Sequence, residues 1–385
     1  MSHRRLALTL FTCLFAAQAA FLSLGLVLPQ IAHTFGVETA AAGQLRGISG
    51  LAGATTALVL VGGASRYGVR PLLLAGLGLI ATSAIFSATA PSLLVLGAAQ
   101  ALGGIGATIV LAAGVAATAQ WADAGSHTRV LAWALVGQPA AWVVGMPSIG
   151  LLATVNWRFV FALPLAAAAL ALLLVPRNRS AAAAPSSTDR VIRLLVRDRR
   201  LVGWALSELL AYAAWAGLMI YVPALLIEGH HASQAATGVL LGLAALAYFP
   251  SNFGVSRLVE RHARPLLVGI NLALAISAVA LGVVAGTAAA CAALFAICVF
   301  LAGGRTISGS ALGLALAPPE HAVGVSSIRT AAAQIGNVIG AGIGGLALAT
   351  GGYELACVGF GALFALAATP HLPAWRANYR PATEH

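Results

Sequence analysis

The sequence contains no lysine, and only 8% of its 385 residues are charged. Soluble domains carry roughly 25% charged residues, so this chain cannot dress a water-facing surface, and 60% of it is hydrophobic. Lipid is the solvent such a composition fits. Acids are scarcer than bases: ten Asp and Glu stand against 21 basic residues, all arginine. The four cysteines (Cys13, Cys291, Cys298 and Cys357) lie in apolar stretches, form no CxxC pair and have no companion ligands, so they read as small buried hydrophobes. There is no nucleotide-binding glycine loop, no HExxH and no pair of acids on one helical face. Nothing supports a catalytic site, a metal or a cofactor.

What is present is a series of twelve apolar runs of about 18 to 28 residues, each long enough to span a bilayer as a helix. They start near Leu6, Ala40, Pro71, Ser92, Arg129, Arg158, Leu201, Gln234, Pro265, Ala289, Gly324 and Tyr353. The net charge of +11 follows the breaks between them. With both termini cytoplasmic, 17 of the 21 arginines fall on that side, Arg158 alone lies outside, and Arg46, Arg305 and Arg329 fall within runs. This positive-inside asymmetry predicts a multi-pass plasma-membrane protein with both ends in the cytoplasm, and it accounts for the basic charge without nucleic acid. The opening His3-Arg4-Arg5, the apolar Leu6 to Phe15 and Ala17-Gln18-Ala19 imitate a cleavable signal. The apolar run continues to Leu28, which fits a retained first span.

The chain repeats itself. Arg70-Pro71-Leu72-Leu73 returns 194 positions later as Arg264-Pro265-Leu266-Leu267, and Pro29 and Pro223 have the same separation. Internal repeats of hydrophobic segments mark secondary transporters, with the binding site at the repeat interface. The longest polar stretch, Pro176 to Arg200, separates six runs from six. The expected organisation is a six-helix bundle over 1–175, a cytoplasmic linker over 176–200, and a second six-helix bundle with a short tail over 201–385. The linker opens with a low-complexity Ser/Ala/Pro segment and ends in an Arg-rich stretch able to lie on anionic headgroups.

Several motifs then resemble one family. Leu28-Pro29-Gln30-Ile31-Ala32-His33-Thr34-Phe35-Gly36-Val37, followed by Ala42-Gly43-Gln44-Leu45, resembles the LPxIAxxFGV…AGxL opening of the major facilitator superfamily. Ser65-Arg66-Tyr67-Gly68-Val69-Arg70 stands where that family carries GxxxDRxGRR. Gly145, Pro147 and Gly150 are similar to the GxPxG of efflux members, and Asn156-Trp157-Arg158-Phe159 is similar to GWRxxF. The resemblance covers nearly the whole chain and is closest to the twelve-span drug and sugar efflux branch. It implies an all-α membrane protein, with twelve transmembrane helices in two six-helix bundles related by a pseudo-two-fold axis. It also implies a monomeric secondary transporter that moves a small organic molecule by alternating access, as an efflux permease with proton antiport open to it. An importer or facilitator without proton coupling, or a membrane sensor, is the alternative. Departures bear on coupling: Ser65 replaces the signature aspartate, Val69 replaces one arginine, and the first span has no carboxylate. Ser65, Arg66, Gly68 and Arg70 are the candidate lock between the halves.

Ionisable groups inside spans are costly and face a cavity or a partner. Glu208 is the one acid well inside a run, roughly 10 Å deep, and Arg305 sits roughly 16 Å deep on a run of opposite direction. Spans one, four, seven and ten line the cavity in the family, which puts both on facing helices. The pair is either a static bridge within the second bundle or a substrate or proton site, where a substrate that takes over the arginine frees the carboxylate. Arg46 is either a gate or a snorkelling residue. Gln18 and Gln100 fall on cavity-type helices. Tyr212 and Trp215 either stack a flat substrate or pack. Arg329, Gln334, Asn337 and Asn271 are further polar residues within runs. Glu228, His230 and His231 form an outer-loop cluster that reads as solvated.

Overall fold

The computed structural model describes residues 3–63, 68–122, 127–176, 198–316 and 322–372, and every regular element among them is helical. The first run is broken in two: α1 (His3–Leu22) leads through a short 3₁₀ turn (Gly25–Val27) into α2 (Leu28–Phe35). Pro29 lies in the first turn of α2, where a missing N–H costs nothing. Gly36 ends that helix in the left-handed conformation (φ 65°), its N–H and that of Val37 returning to the last carbonyls. The Phe-Gly-Val of the sequence motif is thus a helix stop.

There follow α3 (Thr39–Gly63), α4 (Val69–Thr89), α5 (Leu93–Trp121), α6 (His127–Leu135), α7 (Gly137–Val155) and α8 (Ala162–Leu174). Ser92 caps α5, its hydroxyl accepting from the Val95 N–H. Asn156 caps the 3₁₀ turn Trp157–Phe161 that precedes α8. The later part of the chain gives α9 (Arg199–Ala224), a wide turn over Leu225–Gly229, α10 (Gln234–Ala245), α11 (Tyr248–Val283), α12 (Ala288–Leu316) and α13 (Ala322–Ala368). Asp198 caps α9 by accepting from the Arg200 N–H.

Two expected breaks are much tighter than the runs suggest. Helix continues from Tyr248 to Val283, interrupted only by a kink at His262 (φ −137°, ψ 33°), and Pro265 falls in the first turn after it. α13 turns at Gly351 and Gly352, where Gly352 has φ 71°, a conformation open to glycine at no steric cost. Ten segments among the described residues are long and apolar enough to cross a membrane. The 25-residue α3 is not one of the ten, for it carries Arg46, Gln44 and several glycines and threonines.

Residues 3–176 and 198–372 meet from the middle of the helices to the end opposite the termini. α3 packs on α13 and α7 packs on α10. Glycine permits both approaches. A Cβ at Gly50 would lie 2.7 Å from Asn337 Cβ, and one at Gly150 would lie 2.9 Å from Gly238 Cα and 2.6 Å from the Gln234 carbonyl oxygen. Small residues are what close helix packing in lipid requires. Two prolines add to this. Pro147 cannot donate to the Val143 carbonyl, and Gly242 approaches both; Pro223 likewise frees the Met219 carbonyl, which faces Gly25.

Candidate functional site

The deepest polar cluster is centred on α9. Glu208 is fully buried, and its two carboxylate oxygens have different partners: Arg305 Nη2 of α12 donates to Oε1 at 2.9 Å, and Arg329 Nε of α13 donates to Oε2 at 2.9 Å. The expected pair is therefore a triad, and its second cation is the finding that sequence spacing missed. Arg329 was legible as an arginine within a run. That it reaches Glu208 depends on how α13 packs along α9, its most extensive neighbour.

Arg305 is anchored further. Its Nε donates to Asn271 Oδ1 at 3.1 Å, and its Nη2 also reaches the Ser207 carbonyl at 3.2 Å. The Ser207 hydroxyl is turned away, donating to the Ala367 carbonyl at 2.6 Å. Glycines make the room. A Cβ at Gly309, one turn after Arg305, would lie 2.3 Å from Glu208 Oε1, and one at Gly313 would lie 2.3 Å from the Trp204 ring. Arg305, Gly309 and Gly313 thus form an i, i+4, i+8 stripe against α9, a signal present in the sequence. Trp204 completes the contact by donating its indole N–H to the Gly309 carbonyl at 2.7 Å.

Tyr212, one turn beyond Glu208, presents its ring to both cations: the guanidinium carbons of Arg305 and Arg329 lie 5.7 and 5.5 Å from its centroid. Trp215, on the same face, stacks on Phe295 (6.1 Å, 7°) and meets Trp142 of α7 (6.3 Å), so an aromatic group bridges the two parts of the chain.

Arg46 has partners on two other helices. It sits over the Phe21 ring at 4.2 Å and donates to the Phe21 carbonyl at 3.4 Å and to Asn337 Oδ1 at 3.3 Å. Asn337 donates to Gln334 Oε1 at 3.1 Å, and Gln334 donates to the Thr108 hydroxyl at 2.7 Å. This polar chain links α3 and α5 to α13. Gln100 is spent elsewhere, donating to Ser87 at 2.9 Å within the α4–α5 contact, so its amide holds two helices together. Gln18 is half-buried on α1. Gly145 packs against Leu163, while Pro147 and Gly150 lie in the α7–α10 contact described above. Ser65 and Arg66 lie outside the described residues, as does most of the expected linker. Gly68 precedes α4, and Arg70 donates to the Pro176 carbonyl at 2.8 Å, a contact within the first part of the chain.

Glu228 is exposed, as expected of a solvated loop, and it also has partners. It accepts from Thr39 at 2.7 Å and from the Tyr353 hydroxyl, and so fastens the loop after α9 to the start of α3 and to the turn in α13. Gln44 and Tyr221 both donate to the Ala341 carbonyl, at 2.9 and 3.0 Å, one layer further in.

The comparisons agree with this architecture. The model of the Major Facilitator Superfamily matches residues 10–211 and 204–384. The chain belongs to that superfamily, and its class is that of multi-pass membrane transporters. It is 30% identical over 136 residues to the uncharacterized MFS-type transporter YbcL of Bacillus subtilis (strain 168), a match spanning 35% of each chain. Its fold is similar to that of a bacterial homologue of the human lysosomal transporter Spinster in an inward-facing and occupied conformation, with a TM-score of 0.78, 16% identity and 98% of each chain covered. It is also similar to a D-xylose-proton symporter, with a TM-score of 0.73, 18% identity and 97% of each chain covered.

Proposed function

We propose that this protein is a monomeric secondary active transporter that exports a small organic molecule by alternating access, with Glu208, Arg305 and Arg329 at its binding site. The carrying observation is the dual attachment of α13. This helix brings Arg329 to Glu208 and, eight residues on, brings Asn337 to Arg46 of α3. A substrate that competes for Arg329 pulls on the helix that also holds the far end of the molecule shut. Differential contacts of this kind at a bistable interface are what a conformational cycle needs.

In this reading twelve spans form two six-helix bundles, over 1–175 and 201–385, joined by the cytoplasmic linker 176–200. The kinks at His262 and Gly352 each separate two spans. With both termini cytoplasmic, the contact through α3–α13 and α7–α10 closes the outer side, and the Glu228 bonds to Thr39 and Tyr353 latch it. Export is the direction favoured by Gly145, Pro147 and Gly150, which resemble the efflux motif. Release of Glu208 by substrate gives a route for proton exchange. A carrier without proton coupling is the second reading, supported by the lack of a carboxylate on the first span and by Ser65 in place of aspartate.

The test is reconstitution. Compounds that raise the melting temperature of the purified protein are loaded into proteoliposomes, and flux is followed with and without an imposed pH gradient. Flux that requires the protein and is lost in Glu208→Gln supports the proposal. Stabilising compounds that never cross the bilayer overturn it, and flux indifferent to the pH gradient selects the uncoupled carrier.

A further inference from the structure

The charge of the buried cluster does not balance. Arginine stays protonated in proteins, so Glu208 with Arg305 and Arg329 leaves one positive charge in excess. Glu208 and Arg305 are buried and Arg329 is half-buried, so the excess charge is only partly screened by solvent, and an uncompensated charge there is costly. The hydrogen-bonding capacity is lopsided in the same sense. Arg329 Nη2 and Asn271 Nδ2 are both buried and have no hydrogen-bond partner among the described residues, and both are donors. Each is one bond from the Glu208–Arg305 contact. Against the cations stand Tyr212 and, one turn on, Trp215, flat faces on the same side of α9.

We infer that the transported molecule is an organic anion, a carboxylate on a flat apolar body. Its carboxylate takes the donors left open on Arg329 and Asn271, and its ring lies along Tyr212 toward Trp215. The inference rests on the reading of this cluster as the binding site. Binding brings the cluster to neutrality and draws Arg329 from Glu208, which joins recognition to the movement of α13. A cationic substrate would add to the excess charge, and a neutral one would leave it standing.

The experiment is a thermal-shift titration of the purified full chain with matched probes at constant ionic strength, with chloride as background in every arm. The probes are 2-naphthoate, its neutral amide, 2-naphthylmethylamine, and acetate as an anion without a ring. Saturable stabilisation by naphthoate, well above that by acetate and absent with the amide and amine, is expected. Arg329→Gln, which makes the cluster neutral without ligand, weakens naphthoate binding about tenfold or more, as expected when a hydrogen bond to a charged group is lost. Its unliganded melting temperature falls no further than that of Arg305→Gln, since both changes leave the cluster neutral and Arg329 gives up only its bond to Glu208, and Arg329→Lys keeps part of the affinity. Stabilisation by the amine or amide in place of naphthoate, if lost in Trp215→Leu, overturns the anionic class and leaves the site reading intact. Naphthoate binding that is unchanged in both Arg329→Gln and Trp215→Leu places the anion elsewhere and overturns both. No shift with any anion also overturns the inference.

Discussion

Replacing Glu208 and replacing Arg305 should have unequal effects, because Glu208 has two partners and Arg305 shares its carboxylate with Arg329. Glu208→Gln leaves one buried and one half-buried guanidinium with no anion between them, a net charge of two. Removing one side of a buried pair costs about 3–5 kcal/mol, and the upper part of that range applies here. Arg305→Gln leaves Glu208 paired with Arg329 and the cluster neutral. What is lost is one of the two charge-assisted bonds to the carboxylate and the bonds to Asn271 and Ser207, of which glutamine can remake one, so the cost is about 1.5–3 kcal/mol. The gap of about 2 kcal/mol is a factor of about 30 in the folded-to-unfolded ratio. The double variant leaves Arg329 alone and falls between the two. A simple two-residue bridge predicts otherwise: equal damage from either change and recovery in the double variant. The assay is the midpoint of denaturation in one detergent at one pH for the wild type and the three variants, followed by the fraction still monodisperse. Arg305→Gln as unstable as Glu208→Gln, or a double variant more stable than Arg305→Gln, would refute the triad argument.

Other consequences follow from the contact between the two parts of the chain. Gly238→Val places a branched side chain where a Cβ already lies 2.5 Å from the Met146 carbonyl oxygen and 2.9 Å from Gly150 Cα. Overpacking of about 1–3 kcal/mol should favour the state in which α7 and α10 part, read as increased labelling of a cysteine placed at Gln234; unchanged labelling counts against a moving contact. Glu228→Gln should weaken the bonds to Thr39 and Tyr353, each about 1 kcal/mol, and raise the same labelling by several-fold while leaving the melting temperature nearly unchanged. Cysteines placed at Gly229 and Pro185 should react only from outside and only from inside, respectively; the four native cysteines are buried and give little background. The reverse pattern would invert the topology. Arg70→Ala removes the bond to the Pro176 carbonyl; lower transport with unaltered expression is expected, and full transport would dismiss this residue from the cycle.

Much of this protein was readable from one dimension. The scarcity of charge dictates a lipid environment, because buried backbone in lipid must bond within its own helix, and long apolar runs are then the only segments available. Glu208 and Arg305 were legible for the same reason, since a charge in an apolar run stands out and is costly without a partner. Depth along a helix also came from counting residues, at 1.5 Å each. What counting cannot supply is the angle at which one helix presents its face to another. That angle, set by side-chain packing and by where glycine lets backbones approach, brings Arg329 onto the second oxygen of Glu208. It also spends Gln100 on Ser87, turns Arg46 toward Asn337 and fastens Glu228 to Thr39 and Tyr353. Each of these joins residues between 13 and 291 positions apart. Local propensity carries no information over such separations, so only the packed structure distinguishes a bridge from a triad with a charge to spare.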